Sequence, residues 1–491
     1  MQFIITQGIN NCTIIRYKAN KNTYLKELTK ILKHFPKNKK QTIIFSDFDL
    51  VDKSQGTVNR KIRFVAVNRN NKVKHKINID FYEDANKLIK NIDAKNIGGN
   101  SKFFNNENIL IEDSPKLKSV IERLELKSRN TQFEINLDSL AYNINYFRNK
   151  LKPTTKMLCM TKANSYGTGN YEIACLMQIA GVDYLGVAAT DEGVTLRKSG
   201  IKLPIIILTP EIGNLELLIR NNLEPEIHNF RSLKSFDESC KKLGKSSYPI
   251  HIKINSGMNR QGFTAEQTDE LINTISKLKH IKVSSIFTHL ATADSFALEQ
   301  LKRFDKISAK LKAALPYSII RHALNSVGIE IFTDYQFDMV RLGVGMYGIS
   351  EFACNKTKIV GKLTSVITQI EEVPAGETVG YGREGIIGKQ AKTIAVVPIG
   401  YADGLNRRLG KGKTYFTVNN RKAPVIGNVC MDLCMIDISG IDAKEGDRVE
   451  IFGDSPTAID VAKTLETISY EVFTSVAERV KRIYTISEKL I

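Results

Sequence analysis

The sequence predicts a (β/α)8 barrel over residues 130–362, followed by a mostly β domain over 363–491 and preceded by a small α/β segment over 1–129. Three observations carry that prediction. Eight short β-rich runs alternate with helix-patterned segments over about 190 residues, the arrangement a closed parallel barrel requires. Helical periodicity largely stops after Lys362, where strand-like runs with Gly-rich turns take over. Before Thr131, short apolar runs are separated by Asn/Lys-rich connections such as "HFPKNKKQ" and "NIDAKNIGGNSKFFNNEN".

In chain order, "TIIFSDFDL" and "IRFVAVN" supply strands of the first segment, which carries no nucleotide-binding motif. The barrel strands are "KMLCMTK", "YLGVAA", "PIIILT", "EPEIH", "IHIKIN", "SSIFTHL", "RHALNS" and "DMVRLGVG". Helical segments such as "TDEGVTLRKSG" and "EQTDELINTISKLKH" lie between them. In the last domain "ITQIEEV", "TIAVVPIGYADG", "APVIGNVCMDLCMIDIS" and "DRVEIFG" read as strands and turns.

Composition narrows the function classes. The net charge is +19, from 71 Lys+Arg against 52 Asp+Glu. The basic residues are scattered rather than gathered into a dense block, which speaks against a nucleic-acid surface. No apolar stretch approaches the roughly 20 residues that cross a bilayer, and the N-terminus lacks a basic region followed by a long apolar one, so a cytoplasmic protein without a membrane partner is expected. The seven cysteines form no CxxC pair, which suits reduced thiols and predicts neither a disulfide framework nor a metal site.

Lys162 closes the first strand-like run, at the end where a barrel keeps its chemistry. An amine there is either a Schiff-base nucleophile, with a pKa lowered by desolvation or a cationic neighbour, or a surface lysine at a strand end. "GVGMYG", Gly343 to Gly348, fits GxGxxG but follows seven earlier units, so a Rossmann reading is weak. In a barrel the loops after strands 7 and 8 commonly bind phosphate through backbone N–H groups, and Ser326 adds a hydroxyl. "RRLGKGKT" lacks the first glycine of a P-loop and is read as structural. A strand-1 lysine with a cradle at strands 7 and 8 suggests pyridoxal phosphate (PLP).

Here a resemblance becomes specific. "TKANSYGTG", "IKINSGMNRQGF", "THLATAD", "RHALNS" and "DMVRLGVGMYG", then "AGETVGYGR", "VPIGYADGLNRR", "VIGNVCMDLCMIDIS" and "ISYEVFTSVAERVKRIY", follow one another as in the alanine racemase family. From about Thr131 to Ile491 the chain resembles these PLP enzymes, which combine a barrel with a β domain and share active sites across a homodimer. The resemblance implies interconversion of L- and D-alanine, supplying D-alanine for peptidoglycan. It implies Lys162 as the residue that holds PLP and as one base at Cα, and Tyr381, from the second subunit, as the base on the opposite face. It implies Arg341 facing the pyridine nitrogen, His322 supporting that arginine, and His289 hydrogen-bonding toward the catalytic tyrosine. Arg260 addresses the substrate carboxylate, and Lys253 matches a lysine often carbamylated in the family. Phosphate contacts fall to Tyr166, Ser326, Gly343, Val344 and Tyr470. Met431 and Asp432 line the substrate pocket, with Tyr401 at its entrance. Asn255, Leu342 and Thr168 stand where aspartate, proline and histidine are common.

The nearest alternative is a racemase of the same fold acting on serine or a broader range. A decarboxylase of that fold fits less well, because "NVCMD" lacks the surroundings of that family's cysteine motif. A non-catalytic PLP-binding protein is the alternative from another class; those proteins are single barrels, and the β domain carrying Tyr381 speaks against one. The stretch "NENILIEDSPKLKSVIERLELKSRNTQFEINL" resembles the junction in fusions where the UDP-N-acetylmuramoyl-tripeptide–D-alanyl-D-alanine ligase precedes the racemase. "TIIFSDFDL" is similar to part of that ligase's last domain, which implies a remnant without ligase activity.

Overall fold

The computed structural model describes residues 2–7, 13–17, 40–45, 62–67, 79–82, 107–112, 117, 130–353 and 355–487. The "SDFDL" part of the ligase-like stretch and most connections before residue 130 lie outside the described residues. The chain divides into two compact units, one formed by Ser139–Lys358 and the other by Met1–Asp138 together with Ile359–Ile491.

In the first of these, eight parallel strands close into a barrel: Lys156–Met160, Tyr184–Val187, Ile205–Ile207, Glu224–Ile227, Tyr248–Lys253, Ile281–Phe287, Ile320–His322 and Met339–Leu342. Closure is made by the eighth strand on the first, with Val340 opposite Met157 and Arg341 opposite Leu158. Helices cover the outside because their apolar residues recur on one face. In Ser295–Ala314 the buried set includes Ala297, Leu301, Phe304 and Leu311, and burial of each large side chain contributes about 2 kcal/mol. Asp294 caps that helix by accepting from the Phe296 N–H, and Asn229 caps Phe230–Lys242 by accepting from Ser232.

Strand alternation sorts the barrel wall into two faces. On the fifth strand Ile250 and Ile252 share one face and His251 and Lys253 the other. The fourth strand does the same with Glu224 and Glu226. The interior of the barrel is therefore polar and charged on several strands, and this is what positions the candidate site. The seventh strand is shorter than the sequence suggests: Asn325 turns the chain by accepting from the Gly328 N–H, so Ser326 begins a helix, Ser326–Ile331, rather than ending a strand.

The second unit is built on a ladder of fifteen strands. Its centre is Gln132–Asn136, held between Gly361–Val366 and Lys481–Ser487. Phe133, Phe452 and Phe473 pack edge-on and stacked beneath it, with Phe133 to Phe473 centroids 5.2 Å apart. A Cβ at residue 361 would meet the Phe133 ring at 2.8 Å, so glycine is needed there. Gln2–Gln7 continues the ladder on the outer edge of Lys481–Ser487, antiparallel to it. Thr13–Tyr17 follows, antiparallel to Gln2–Gln7, and then Glu107–Glu112, Lys40–Phe45, Ile62–Val67 and Ile79–Tyr82, each parallel to the strand before it. Among the described residues no helix is long and apolar enough to cross a membrane.

Candidate active site

The first barrel strand stops at Met160, and Lys162 opens a turn of unusual hand. Ala163, Asn164, Ser165 and Tyr166 have φ of 52, 54, 50 and 57°, all left-handed. Such a conformation costs about 1–2 kcal/mol per non-glycine residue, so the surroundings must hold it. Glu192 does much of this: its carboxylate accepts from the Ala163 N–H at 2.5 Å and from Ala188 at 2.7 Å, tying the turn to the end of the second strand. Thr168 donates to the Ser165 carbonyl at 2.6 Å, and Gly167 and Gly169, both at positive φ, complete the reversal. The Lys162 side chain is thereby left accessible. Partial desolvation first, then the Arg260 guanidinium and Lys253, hold its amine below the ordinary lysine range, against an opposing contribution from Glu192.

At the end of the adjoining eighth strand, Ser326 Oγ accepts from the backbone N–H of Gly343 at 2.9 Å and of Gly345 at 3.2 Å. Both acceptor positions being used, its hydroxyl hydrogen is left to donate. A Cβ on Gly343 would lie 2.9 Å from the Tyr166 hydroxyl and 3.8 Å from Ser326 Oγ, so glycine lets the backbone lie close against two hydroxyls. Tyr166 is itself propped by Tyr347, ring centroids 4.7 Å apart. Val344 begins the short helical turn Val344–Tyr347 directly after this glycine. Amine, hydroxyls and glycine backbone fit an aldehyde cofactor with a phosphate group.

Arg341 is buried, and its two terminal nitrogens make four bonds: to His322 Nδ1 at 2.8 Å and its carbonyl at 3.2 Å, and to the Thr288 and Ala323 carbonyls at 2.6 and 2.7 Å. Burial lowers its pKa to about 10, opposed by Glu226, so it remains a cation at neutral pH. His322 is held well below the ordinary histidine range by burial and then by Arg341, and is neutral. His289 is lowered to about 3, by burial first and then by Arg341, Arg260, Lys253 and Lys162. Lys253 donates to both Glu226 oxygens at 3.2 and 3.3 Å and to Gln261 at 3.3 Å. Its pKa is lowered by desolvation, with Glu226 pulling the other way. Arg260 is exposed on the loop after the fifth strand.

The remaining candidates belong to the other unit. Tyr381 is 73% exposed on a turn between Gly380 and Gly382, both at positive φ, and its carbonyl accepts from Asn428 Nδ2 at 2.9 Å. The Tyr401 and Ala402 N–H groups bond to the Cys430 and Met431 carbonyls, each at 3.0 Å. Arg479 bridges Asp403 at 2.6 Å and Asp432 at 2.8 Å, which fixes the Tyr401 and Met431 turns to one another. Tyr470, half-buried on the helix Ser469–Thr474, has its pKa raised by burial.

Glu192, Glu224, Glu226, Ser285 and Thr288 bond to or sit among these groups and were missed by motif reading. Glu224 and Glu226 left a signal: two carboxylates on alternate positions of a short buried strand need cationic or hydrogen-bonding partners.

A closed parallel barrel whose mouth holds an accessible amine, a hydroxyl-rimmed cradle and a buried guanidinium defines an enzyme of the lysine-dependent cofactor class. Comparison with known proteins narrows that class. Residues 135–351 match the family described as alanine racemase, N-terminal domain, and residues 360–484 match alanine racemase, C-terminal domain. The chain is 36% identical over 373 residues to alanine racemase 2 of Caldanaerobacter subterraneus subsp. tengcongensis, covering 72% of this chain and 95% of that protein. It is 35% identical over 374 residues to the alanine racemase of Helicobacter pylori strain J99, covering 72% and 98%. Among solved structures, alanine racemase of Clostridium difficile 630 superposes with a TM-score of 0.69 at 36% identity, covering 73% of this chain and 96% of that one. The Bartonella henselae enzyme with covalently bound pyridoxal phosphate gives 0.65 at 28% identity, covering 72% and 99%. The chain belongs to the alanine racemase family, PLP-dependent isomerases that interconvert L- and D-alanine.

Proposed function

We propose that this chain racemises alanine by a two-base mechanism in which Lys162 and Tyr381 stand on opposite faces of the substrate, and that it does so as a cytoplasmic homodimer supplying D-alanine for peptidoglycan. The observation that carries the reading is the Lys162 amine, accessible on its left-handed turn and held below the usual lysine range beside Arg260. Lys162 would hold the cofactor aldehyde, with Tyr166, Ser326, Gly343, Val344 and Tyr470 around its phosphate and Arg341 at its ring nitrogen. PLP, when bound, supplies the electron sink that makes the alanine Cα–H acidic.

The chain's own residues do the rest. Arg260 binds the substrate carboxylate. Lys162 Nζ takes the α-proton on one face, and Tyr381 Oη of the second copy returns one on the other; the reverse direction exchanges their roles. His289, neutral, hydrogen-bonds toward that tyrosine. Met431 and Asp432 line the substrate pocket, and Tyr401 stands at its entrance. Arg341 is a fixed cation that cannot take the ring proton, which keeps the carbanion less stabilised and its side reactions few. Lys253 is the proposed site of carbamylation, which requires its amine to give up Glu226.

The sequence boundaries proposed for the three parts are 1–129, 130–362 and 363–491, and the first is read as the ligase-domain remnant. The parallel strands there support an α/β origin. ATP-dependent ligation by purified protein would refute loss of ligase activity. The racemase reading is tested by a chiral assay with PLP and L-alanine beside L-serine. D-alanine is the expected product, it should vanish in Lys162→Ala, and faster turnover of serine would move the substrate assignment.

A further inference from the structure

A single file of hydrogen bonds runs through the barrel interior from the Arg341 guanidinium to the start of the fourth strand. Arg341 meets His322 Nδ1 at 2.8 Å. His322 Nε2 meets Ser285 Oγ at 2.9 Å, Ser285 Oγ meets His251 Nδ1 at 2.7 Å, and His251 Nε2 meets Glu224 Oε2 at 2.8 Å. The five side chains come from strands eight, seven, six, five and four in turn. His251, Ser285 and His322 are fully buried, whereas Glu224 is partly exposed. Phe287 stacks on His322 at 4.9 Å, and Tyr184 sits edge-on to His251 at 6.3 Å, so neither ring is free to turn.

The chemistry of the two ends gives this file a direction. Arginine can only donate and an ionised carboxylate can only accept. His322 Nδ1 must therefore accept, which puts its proton on Nε2, from where it donates to Ser285. Ser285 then donates to His251 Nδ1, and His251 donates from Nε2 to Glu224. The opposite direction would set two donors against each other at Arg341 and two lone pairs against each other at Glu224, each at 2.8 Å. Such a mismatch between buried groups is costly, whereas a fully matched chain polarises each successive bond.

We propose that Ser285, His251 and Glu224 are positioning residues: Arg341 fixes His322 as its Nε2–H tautomer, Glu224 fixes His251 in the same tautomer, and the matched file through Ser285 holds the His322 ring, and with it Arg341, in one place at the barrel mouth. Glu224, farthest from the mouth, sets the direction of the His251 end of the file. The catalytic consequence rests on the function proposed above, in which Arg341 faces the cofactor ring; the tautomer lock does not.

Full-length, PLP-loaded protein with 15N-labelled histidine tests this through long-range proton–nitrogen correlation, with His322 and His251 assigned from His322→Gln and His251→Gln spectra. In the parent protein both rings should carry the proton on Nε2. Glu224→Leu removes the terminal acceptor, and His251 should move to averaged shifts of mixed tautomers while His322, still facing Arg341, keeps its proton on Nε2. In the same variant kcat for alanine should fall roughly tenfold at constant KM, the scale on which supporting partners of a site group act. Glu224→Gln keeps a carbonyl acceptor and should recover parental spectra and most of the kcat. Should Glu224→Leu not fold, Glu224→Ala removes the same acceptor with a smaller side chain and should release His251 in the same way. Parental His251 shifts in Glu224→Leu or in Glu224→Ala overturn the proposal, as does a Gln variant as damaged as the Leu variant. Tautomers that respond as described in a protein that does not racemise alanine would leave the lock standing and remove the function.

Discussion

The barrel and the β unit offer their candidate residues in opposite ways. In the barrel, His322, Arg341 and Lys253 are nearly inaccessible, each bonded to two or more groups of the same unit. In the β unit Tyr381 is 73% exposed and Met431 54%, although the backbone of their turns is well fixed. The difference teaches that the barrel sets the charge and hydrogen-bonding state of its groups by itself. The β unit only presents side chains on rigid turns, and their chemistry waits for whatever covers them.

The largest test strikes one residue on each side. Lys162→Ala and Tyr381→Phe are each expected to lower alanine racemisation by about 10⁴-fold, the upper range for loss of a proton-transfer group. The phenylalanine variant should keep its PLP absorbance, and undiminished turnover would mean that the second base is assigned wrongly. Mixing the two inactive variants after exchange of subunits sharpens the contrast further. If Tyr381 serves a second copy, half the dimers are mixed and one site in each is intact, so roughly a quarter of parental activity should return. No recovery, with exchange shown by native mass spectrometry, would mean that each chain completes its own site.

Rigidity of the presenting turns is the next target. A Cβ at residue 400 would lie 2.2 Å from the Met431 carbonyl oxygen and 2.4 Å from that of Cys430, neither of which can swing aside. Gly400→Ala should cost about 3 kcal/mol in urea unfolding, since backbone rather than a side chain must move. A cost within error of zero would show that these turns are softer than described.

Acidification tests the self-contained barrel. His289, at about 3 when folded and near 6.5 when unfolded, binds a proton only in the unfolded state over the interval between. Stability is therefore full above about pH 6.5 and declines as pH falls, by roughly 1.4 kcal/mol per pH unit for each such histidine. His322 adds in the same direction. Unfolding followed from pH 7 to 5 should show this slope, and His289→Gln should flatten it. The smallest expected effect is at Lys253: Glu226→Gln removes the carboxylate that favours its ammonium form and should raise the carbamate signal in 13C-bicarbonate spectra severalfold. An unchanged signal would mean that Glu226 does not compete with the modification.

Much of this was legible beforehand. The eight runs of the barrel and the positions of Lys162 and the Gly343 loop follow from the recurring β-rich runs and from where a barrel puts its strand ends, whereas Arg341 was singled out by resemblance. The seventh strand was read too long because Asn325 suits a loop and a helix cap equally, and only the Gly328 contact decides between them. The left-handed run from Ala163 to Tyr166 left little signal, since Asn164 tolerates positive φ but alanine and tyrosine do not favour it; Glu192, distant in sequence, supplies the clamp. The tyrosine on the β unit was found by resemblance alone, as an exposed aromatic on a glycine turn carries no chemical signature by itself.

The barrel is one unbroken stretch, Ser139–Lys358, whereas the strand Gln132–Asn136 finds its neighbours only in Gly361–Val366 and Lys481–Ser487. On a ribosome adding about 5–20 residues per second, the barrel can close while the strand before it still lacks both partners. The early segment, which joins the ladder through Gln2–Gln7 on Lys481–Ser487, must wait longest of all. A translational pause beyond residue 358 would thus meet a finished barrel and a waiting edge, and chaperone capture during synthesis should concentrate on that edge.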